Sequence, residues 1–103
     1  PPTAIVACND LMALGAMSAA RAMGLSAGHD VAVAGFDDIP LAAHAQPPLT
    51  TVRQPIYEIG RRICRMLLER LQTGSPQKEH VILQPELVVR ASCGANLPPR
   101  ERR

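Results

Sequence analysis

The sequence predicts an α/β protein whose parallel sheet carries helices on both faces, in three layers α/β/α. Two apolar, strand-like segments flank a helix-like segment between Thr3 and Phe36, and a second, amphipathic helix follows later. The 103 residues allow one small domain, and 47% of them are hydrophobic, which is enough for a core. Since only 2% are aromatic, that core must consist of Ala, Val, Ile, Leu and Met.

The first element is a strand over Thr3–Cys8, because the segment is short, continuously apolar and partly β-branched, as buried parallel strands are. Asn9 or Asp10 then caps a helix over Leu11–Met23, and Gly24 is suited to its C-terminal end. The sequence favours Asp10 as the residue that starts the helix.

This first helix is apolar on almost every side, with only Ser18 and Arg21 as polar members. Such a helix is buried on more than one side. One side can cover the sheet, and the other needs a second element or a second subunit. A helix buried wholly within one chain is the alternative.

Val31–Phe36 is a second apolar strand. Strand, helix and strand together form a βαβ unit, whose two strands run parallel with a right-handed connection. The segment Asp37–Pro48 contains three prolines and is predicted to be an irregular connection, and Leu49–Val52 is a short extended piece.

A second helix begins near Pro55 and continues to Leu71, with one apolar stripe and one charged face. The residues Thr73–Pro76 end it. Two further strands are predicted over Val81–Leu83 and Leu87–Arg90, on either side of Pro85.

Bulk composition excludes several classes of function. The formal net charge is only +2, so no electrostatic field for nucleic acid is present in these residues. The 3 histidines and 3 cysteines lack metal-ligand or C-x-x-C spacing, so we expect no metal site and no cofactor. No apolar segment is long enough to span a membrane, no signal-peptide pattern opens the chain, and unpaired cysteines favour a cytoplasmic location.

Polar residues follow both predicted strands of the βαβ unit. Asn9 follows the first and Asp37 follows the second. Ligands of open α/β sheets bind in the crevice beyond the carboxyl ends of the strands, so the two residues are candidates for one ligand site. Asp37 can accept hydrogen bonds from a pair of hydroxyl groups, and Phe36 can pack on a small ligand or fill the core. A helix cap at Asn9 and a structural turn at Asp37 remain open as alternatives.

Catalysis has little support in the sequence. Asp37 and Asp38 could form an Mg²⁺-dependent phosphoryl-transfer site, but such a site would want a lysine at a strand end and the only lysine, Lys78, lies in a predicted loop. No Ser-His-Asp or Cys-His arrangement has a useful context, and no glycine-rich phosphate loop is present.

Three segments carry a resemblance to a known family: "AIVACNDLMALGAMSAARAMGL", "DVAVAGFDDIPLAAHAQPPLTTVRQP" and "IGRRICRMLLERL". In this order and spacing they resemble the lactose/galactose-repressor (LacI/GalR) family of bacterial transcription regulators, from Thr3 to about Ser92. The resemblance implies the C-terminal part of an effector-binding core with the type I periplasmic-binding-protein-like fold. The DNA-binding part and the first half of that core are not among these residues.

The resemblance also implies roles for segments and residues. Residues 1–48 would belong to the C-terminal subdomain of the core, 49–75 to a crossover strand and helix of the N-terminal subdomain, 76–95 to returning strands, and 96–103 to a disordered basic tail. Asn9 and Asp37 match effector-binding positions, and Gln54 matches a position near the cleft. The implied dimer interface consists of Leu11, Leu14, Met17, Ser18, Arg21, Ala42, Ala45 and Gln46.

We therefore predict the effector-sensing part of a cytoplasmic regulator that is not an enzyme. Its ligand would be a sugar or nucleoside-type molecule, it would form a homodimer or higher oligomer, and it would reach DNA only through a separate N-terminal domain. A periplasmic solute-binding protein of the same fold is the first alternative, and the Mg²⁺-dependent enzyme is the second.

Overall fold

A computed structural model describes residues 2–74 and 80–98 of the chain. The chain divides into two compact units. The first comprises the residues up to Arg53 and those from Glu86 onward, and the second comprises Gln54–Pro85. Of the predicted disordered tail at residues 96–103, positions 99–103 lie outside the described residues, and so does the segment 75–79.

The first unit begins with the predicted βαβ unit. Strand β1 (Ala4–Val6), helix α1 (Asp10–Ala22) and strand β2 (Ala32–Ala34) follow one another, and β1 pairs with β2 in parallel. Ile5 stands opposite Val33 in the register. The strands are shorter than the apolar segments that predict them, but their position and direction are confirmed.

The sheet continues through strand β3 (Thr51–Arg53), which lies parallel to the extended end of the β2 segment through bridges from Ala34 to Thr50 and from Asp37 to Arg53. Strand β4 (Glu86–Val88) then pairs with β3 in antiparallel orientation. We predicted the segment 49–75 as one crossover strand and helix of the other subdomain; the structure places its strand in the first unit, because its backbone hydrogen-bonds to the β2 segment.

The core of the first unit lies between α1 and the sheet. Its buried hydrophobic side chains are small or medium in size: Ala13, Met17, Ala20, Val31, Val33, Ala42 and Leu49. Four polar residues are buried with them, namely Asp10, Thr50, Thr51 and Ser92. The aliphatic core that the composition predicts is confirmed.

The ends of α1 have specific caps. Asn9 Oδ1 accepts a hydrogen bond from Met12 N at 2.9 Å, so Asn9 is the N-cap. Asp10 is the first residue of the helix, but the prediction that it rather than Asn9 provides the cap is wrong, because its side chain points inward and the residue is 1% exposed. At the other end Gly24 has φ of 77° and Leu25 N donates to Ala20 O, which gives the expected glycine-terminated helix end.

The outer side of α1 is not covered by any residue within the ranges 2–74 and 80–98. Leu11, Met12 and Met23 are 67%, 58% and 76% exposed. The described residues therefore do not bury this helix on all sides, as the alternative of a helix buried wholly within one chain would require. The need for a second partner on this helix stands.

The predicted irregular connection contains a short helix, α2 (Pro40–His44). Pro40 occupies its first position, where the missing N–H costs nothing and the fixed φ favours a helix. Proline within a short loop therefore started a helix here, whereas the sequence predicts only irregular structure.

The second unit contains helix α3 (Ile56–Thr73), which ends at Gly74 as predicted. No described residue of α3 is buried, and its apolar stripe is exposed. The predicted strand over Val81–Leu83 is wrong: these residues are described and have no strand partner, and they lie along α3 instead, lining a shallow groove with Ile59 and Ile63. Across the described ranges no helix is both long and apolar enough to cross a membrane.

Candidate functional site

The carboxyl ends of β1 and β2 bring the two polar pairs together. Beyond the strands, Ala7 N donates to Ala34 O at 2.9 Å, and Asp10 N donates to Phe36 O at 3.0 Å. The backbone of Asn9 and Asp10 therefore lies directly beside that of Phe36 and Asp37. The predicted convergence of the two strand ends is confirmed by these backbone contacts.

Asn9 is half-buried at this edge, and its side-chain oxygen is used by the helix cap. The cap takes only the Oδ1 atom, whereas the side-chain amide can still donate two hydrogen bonds. The alternatives of cap and ligand residue therefore do not exclude one another. Its contact with a ligand stays a prediction.

Asp37 is half-buried and has an unusual backbone conformation. Its φ is 116°, in a region that residues with a Cβ rarely adopt. The hydrogen bond from Asp37 N to Val52 O, at 2.9 Å, holds the residue against β3. The next residue, Asp38, also has positive φ at 54°. Phe36 is 37% exposed, so part of its ring is available at the same edge.

A buried carboxylate, that of Asp10, supports this loop from below. Its Oδ2 accepts a hydrogen bond from Ile39 N at 2.8 Å, and its Oδ1 accepts one from Thr51 Oγ1 at 2.5 Å. The Thr51 hydroxyl oxygen in turn accepts from Asp38 N at 3.3 Å. The backbone and the side chain of Asp10 therefore bind both ends of the turn that contains Asp37.

Asp38 faces two arginines that come from distant parts of the chain. Arg53 Nε donates to Asp38 Oδ2 at 2.7 Å, and Arg90 Nη1 donates to Asp38 Oδ1 at 2.8 Å. Arg53 also lies 3.6 Å from Glu86 Oε2. The hydrogen bond from Arg90 holds the pKa of the Asp38 carboxyl below its usual value, burial opposes this shift, and Arg53 adds to it.

Gln54, the remaining predicted ligand residue, is the first residue of the second unit. It directly follows Arg53, which pairs in register with Asp37. Its backbone oxygen accepts a hydrogen bond from Ile56 N at 2.9 Å, and its side chain is half-buried. Its role in a ligand site stays a prediction.

The residues of the predicted dimer interface lie on and beside α1. Ala42 is fully buried and Met17 is 5% exposed, so neither offers much surface. The remaining six are half-buried or exposed: Leu11, Leu14, Ser18, Arg21, Ala45 and Gln46. Arg21 Nη2 donates to Gln46 O at 2.6 Å and so connects α1 with the segment after α2.

The sequence suggested other roles for Asp10 and Asp38, a helix cap and a metal site, and it did not single out Arg53 and Arg90. Their partners lie 15 to 52 residues away along the chain, so no local pattern shows these contacts. One signal was available for the arginines. Each ends or directly follows a predicted strand, where a charge beside an apolar strand calls for a partner.

The chain is similar in sequence to one known protein family and to several bacterial regulators. The family described as "Periplasmic binding protein-like domain" matches residues 1–93. The transcriptional regulator MalR of Streptomyces coelicolor is 50% identical over 101 residues, which are 97% of this chain. The transcriptional repressor CytR of Escherichia coli is 42% identical over 95 residues, or 92% of this chain. The chain spans 28% of the length of both relatives.

Solved structures agree with these relatives. The transcriptional regulator CelR in complex with cellobiose superposes with a TM-score of 0.83 at 40% identity, over 87% of this chain and 28% of that protein. The lac repressor dimer bound to operator and the anti-inducer ONPF gives a TM-score of 0.81 at 39% identity, over 89% of this chain and 28% of that chain. The chain therefore belongs to the periplasmic binding protein-like domain family, of the LacI type found in bacterial transcription regulators.

Proposed function

We propose that this chain is the effector-sensing part of a bacterial transcription regulator. A small molecule would bind at the carboxyl end of the sheet, against Asn9, Phe36 and Asp37, and Gln54 stays the fourth candidate for a ligand contact. The observation that carries the proposal is the hydrogen bond from Asp10 N to Phe36 O, which sets the two polar strand ends side by side at the edge where α/β sheets bind ligands.

A sugar fits the chemistry of this edge. A carboxylate accepts hydrogen bonds from hydroxyl groups, each worth about 1.5–3 kcal/mol because the acceptor is charged. An amide beside it donates to the oxygens of the same ligand, and an aromatic ring packs on the apolar face of a pyranose. Cellobiose is the ligand in the CelR complex, which supports this class of effector. Nucleosides also carry a pair of neighbouring hydroxyl groups and are the second class to test.

The mechanism would be linkage and not catalysis. Ligand binding would favour one conformation of the intact regulator, meaning the longer protein to which we assign this chain, and so change its affinity for DNA. Such couplings are typically about 1–3 kcal/mol, and they require that the ligand binds the two conformations unequally. The chain spans 28% of MalR and of CytR, which leaves most of a regulator of that length to contain a DNA-binding domain. The intact regulator would act in the cytoplasm.

The second unit would belong to the other subdomain of the core, as proposed for the helical part of residues 49–75. Its apolar stripe supports this assignment, because Ile63, Leu67 and Leu71 are 59%, 55% and 73% exposed. A stripe of this kind on a helix is normally covered. The part of the intact regulator that precedes this chain would supply the cover.

The outer side of α1 would form a homodimer interface. The exposed residues Leu11 and Ser18 and the half-buried Leu14 lie on one side of this helix, and the hydrogen bond from Arg21 to Gln46 O holds the neighbouring segment in place. Dimers are the commonest symmetric assemblies, and an apolar helix face is suited to one. The lac repressor compared above is a dimer, which supports this part of the proposal.

The two alternatives lose support. A solute-binding protein and a regulator share this fold, but MalR and CytR are regulators. For the Mg²⁺-dependent enzyme, Asp38 would have to offer its oxygens to the metal, whereas both accept hydrogen bonds from arginines. We infer that the chain does not catalyse a reaction.

A thermal-shift screen of the intact regulator tests the proposal. The panel contains mono- and disaccharides, including cellobiose, together with adenosine and cytidine. A ligand at 100 times its Kd stabilises the folded state by about 2.7 kcal/mol, which is a readily measured shift. We expect at least one panel compound to raise the melting temperature, and we expect Asp37→Ala to abolish that shift. An undiminished shift in the Asp37→Ala protein would refute the site.

A further inference from the structure

The ion pairs of Asp38 join three parts of the first unit. Asp38 directly follows Asp37 in the turn after β2, Arg53 is the last residue of β3, and Arg90 lies two residues beyond β4. Arg53 and Glu86 are also the residues at which the chain leaves the first unit and returns to it. Asp38 therefore contacts β3 at its junction with the second unit, and it contacts the β4 segment through Arg90, which lies beyond the end of β4 that is far from the junction at Glu86.

The ion pair between Asp38 and Arg90 is mostly buried, and further hydrogen bonds fix the position of Arg90. The Asp38 side chain is 9% exposed and that of Arg90 is 17% exposed, so the pair is largely shielded from water. Arg90 Nη1 also donates to Leu49 O at 3.0 Å, and Arg90 N donates to Thr50 Oγ1 at 2.9 Å. Arg90 is therefore fixed on the segment that enters β3 as well as on Asp38.

We propose that Asp38 is a positioning residue that links the turn carrying Asp37 to both strands leading to the second unit, and so transmits effector binding to the rest of the regulator. This inference rests on the proposed function, because it assigns a role in the response to a ligand at Asp37. Asp38 need not touch the ligand. A shift of Asp37 on ligand binding would move its neighbour Asp38 and, through the two arginines, the ends of β3 and β4.

The substitution Asp38→Asn isolates the charge. Asparagine has nearly the same shape and, like aspartate, tolerates positive φ, so the turn can keep its conformation. The variant loses the charge-assisted hydrogen bonds with Arg53 and Arg90. Glu58→Gln is the matched control, since Glu58 also pairs with two arginines, Arg61 and Arg62, but within one turn of α3.

The first measurement needs no effector. Hydrogen exchange of the intact regulator is followed in peptides that cover β3 and β4. We expect Asp38→Asn to raise exchange at least fivefold in both peptides at once, and Glu58→Gln to leave both unchanged. Unchanged exchange in Asp38→Asn would overturn the proposal. Exchange that rises as much in peptides covering β1 and α1 as in those covering β3 and β4 would also overturn it, since that result shows only a general loss of stability.

The second measurement compares binding with response, using the panel compound that gives the largest thermal shift. We expect Asp38→Asn to bind this compound within threefold of the wild-type affinity, while the change in operator affinity that it causes falls at least fivefold. A wild-type response overturns the inference. Loss of binding as complete as in Asp37→Ala also overturns it, because Asp38 then acts in the ligand site itself. Normal binding by Asp37→Ala would instead refute the proposed function, so the two failures differ.

A second pair of variants keeps the test open if Asp38→Asn does not fold. Arg53 is half-exposed, so its replacement is milder for the fold. Arg53→Lys retains a positive charge and should keep more of the response than Arg53→Gln. Equal responses from these two variants would overturn the proposal.

Discussion

Removal of the Asp10 carboxylate should destabilise the protein far more than removal of the neighbouring helix cap. Asp10 is 1% exposed and accepts two hydrogen bonds, from Ile39 N and from the Thr51 hydroxyl. In Asp10→Ala both donors lose their acceptor, Thr51 at a buried position and Ile39 at a half-buried one, and an unsatisfied buried donor costs about 1–3 kcal/mol. The carboxylate also lies in the first turn of α1, where an acidic group contributes about 0.3–1 kcal/mol.

These contributions sum to about 2–7 kcal/mol, and the lower half of that range is expected because the variant no longer buries a charge. We therefore expect a loss of about 3 kcal/mol for Asp10→Ala. Asp10→Asn should lose less, about 1–2 kcal/mol, because the amide oxygen can still accept from Ile39 N while its NH₂ group donates to Thr51 Oγ1. Asn9→Ala, which removes only the cap, should lose about 1 kcal/mol.

The assay is urea unfolding of the intact regulator, followed by circular dichroism, with free energies compared at equal m values. The loss of unfolding free energy should be largest for Asp10→Ala and smaller for Asp10→Asn. Asn9→Ala should lose as much as Asp10→Asn or less. The reasoning would be refuted by an Asp10→Ala protein that is as stable as the Asn9→Ala protein. Asp10 would then be an ordinary first-turn residue and not the support of the turn.

Three further predictions concern neighbouring features. Gly35→Ala should cost at least about 2 kcal/mol in urea unfolding, because an added Cβ would collide with Asp10 Oδ1; an unchanged midpoint would show that the turn has room. The lowered pKa of the Asp38 carboxyl stabilises the folded state. This stabilisation is complete above the unfolded-state pKa of about 3.9, and it is lost as the pH falls through the folded-state pKa. The free energy of unfolding, measured as a function of acid pH, should therefore show this loss in the wild type and a smaller one in Asp38→Asn. Leu11→Asp should weaken self-association of the intact regulator at least tenfold in analytical ultracentrifugation, since a buried leucine is worth about 1.5–3 kcal/mol, and a dimer of undiminished affinity would exclude this face.

The elements with clear local start and stop signals were predictable from the sequence. Helix α1 follows from a polar residue after an apolar strand and ends at Gly24, where only glycine adopts the left-handed conformation cheaply. The position of Asn9 and Asp37 at two strand ends was also predictable, because the βαβ connection fixes both strands in one direction.

What the sequence could not predict depends on distant partners. The Thr51 hydroxyl that contacts Asp10 lies 41 residues away along the chain, and the Arg90 that contacts Asp38 lies 52 residues away. Local pattern carries no information on such pairs. The segment Val81–Leu83 shows the opposite error: its apolar, β-branched composition is typical of a strand, but a strand needs a neighbour to hydrogen-bond with. Helix α2 was missed because its proline suggested a loop.

The most direct test of the central claim is operator binding by the intact regulator with and without the best panel compound. The wild type should change its operator affinity by about 5–150-fold when the compound is added, as couplings of 1–3 kcal/mol require. Asp37→Ala should bind operator as the wild type does without the compound, and it should show no change when the compound is added. An Asp37→Ala regulator that responds to the compound as strongly as the wild type would contradict the assignment of this turn as the effector site.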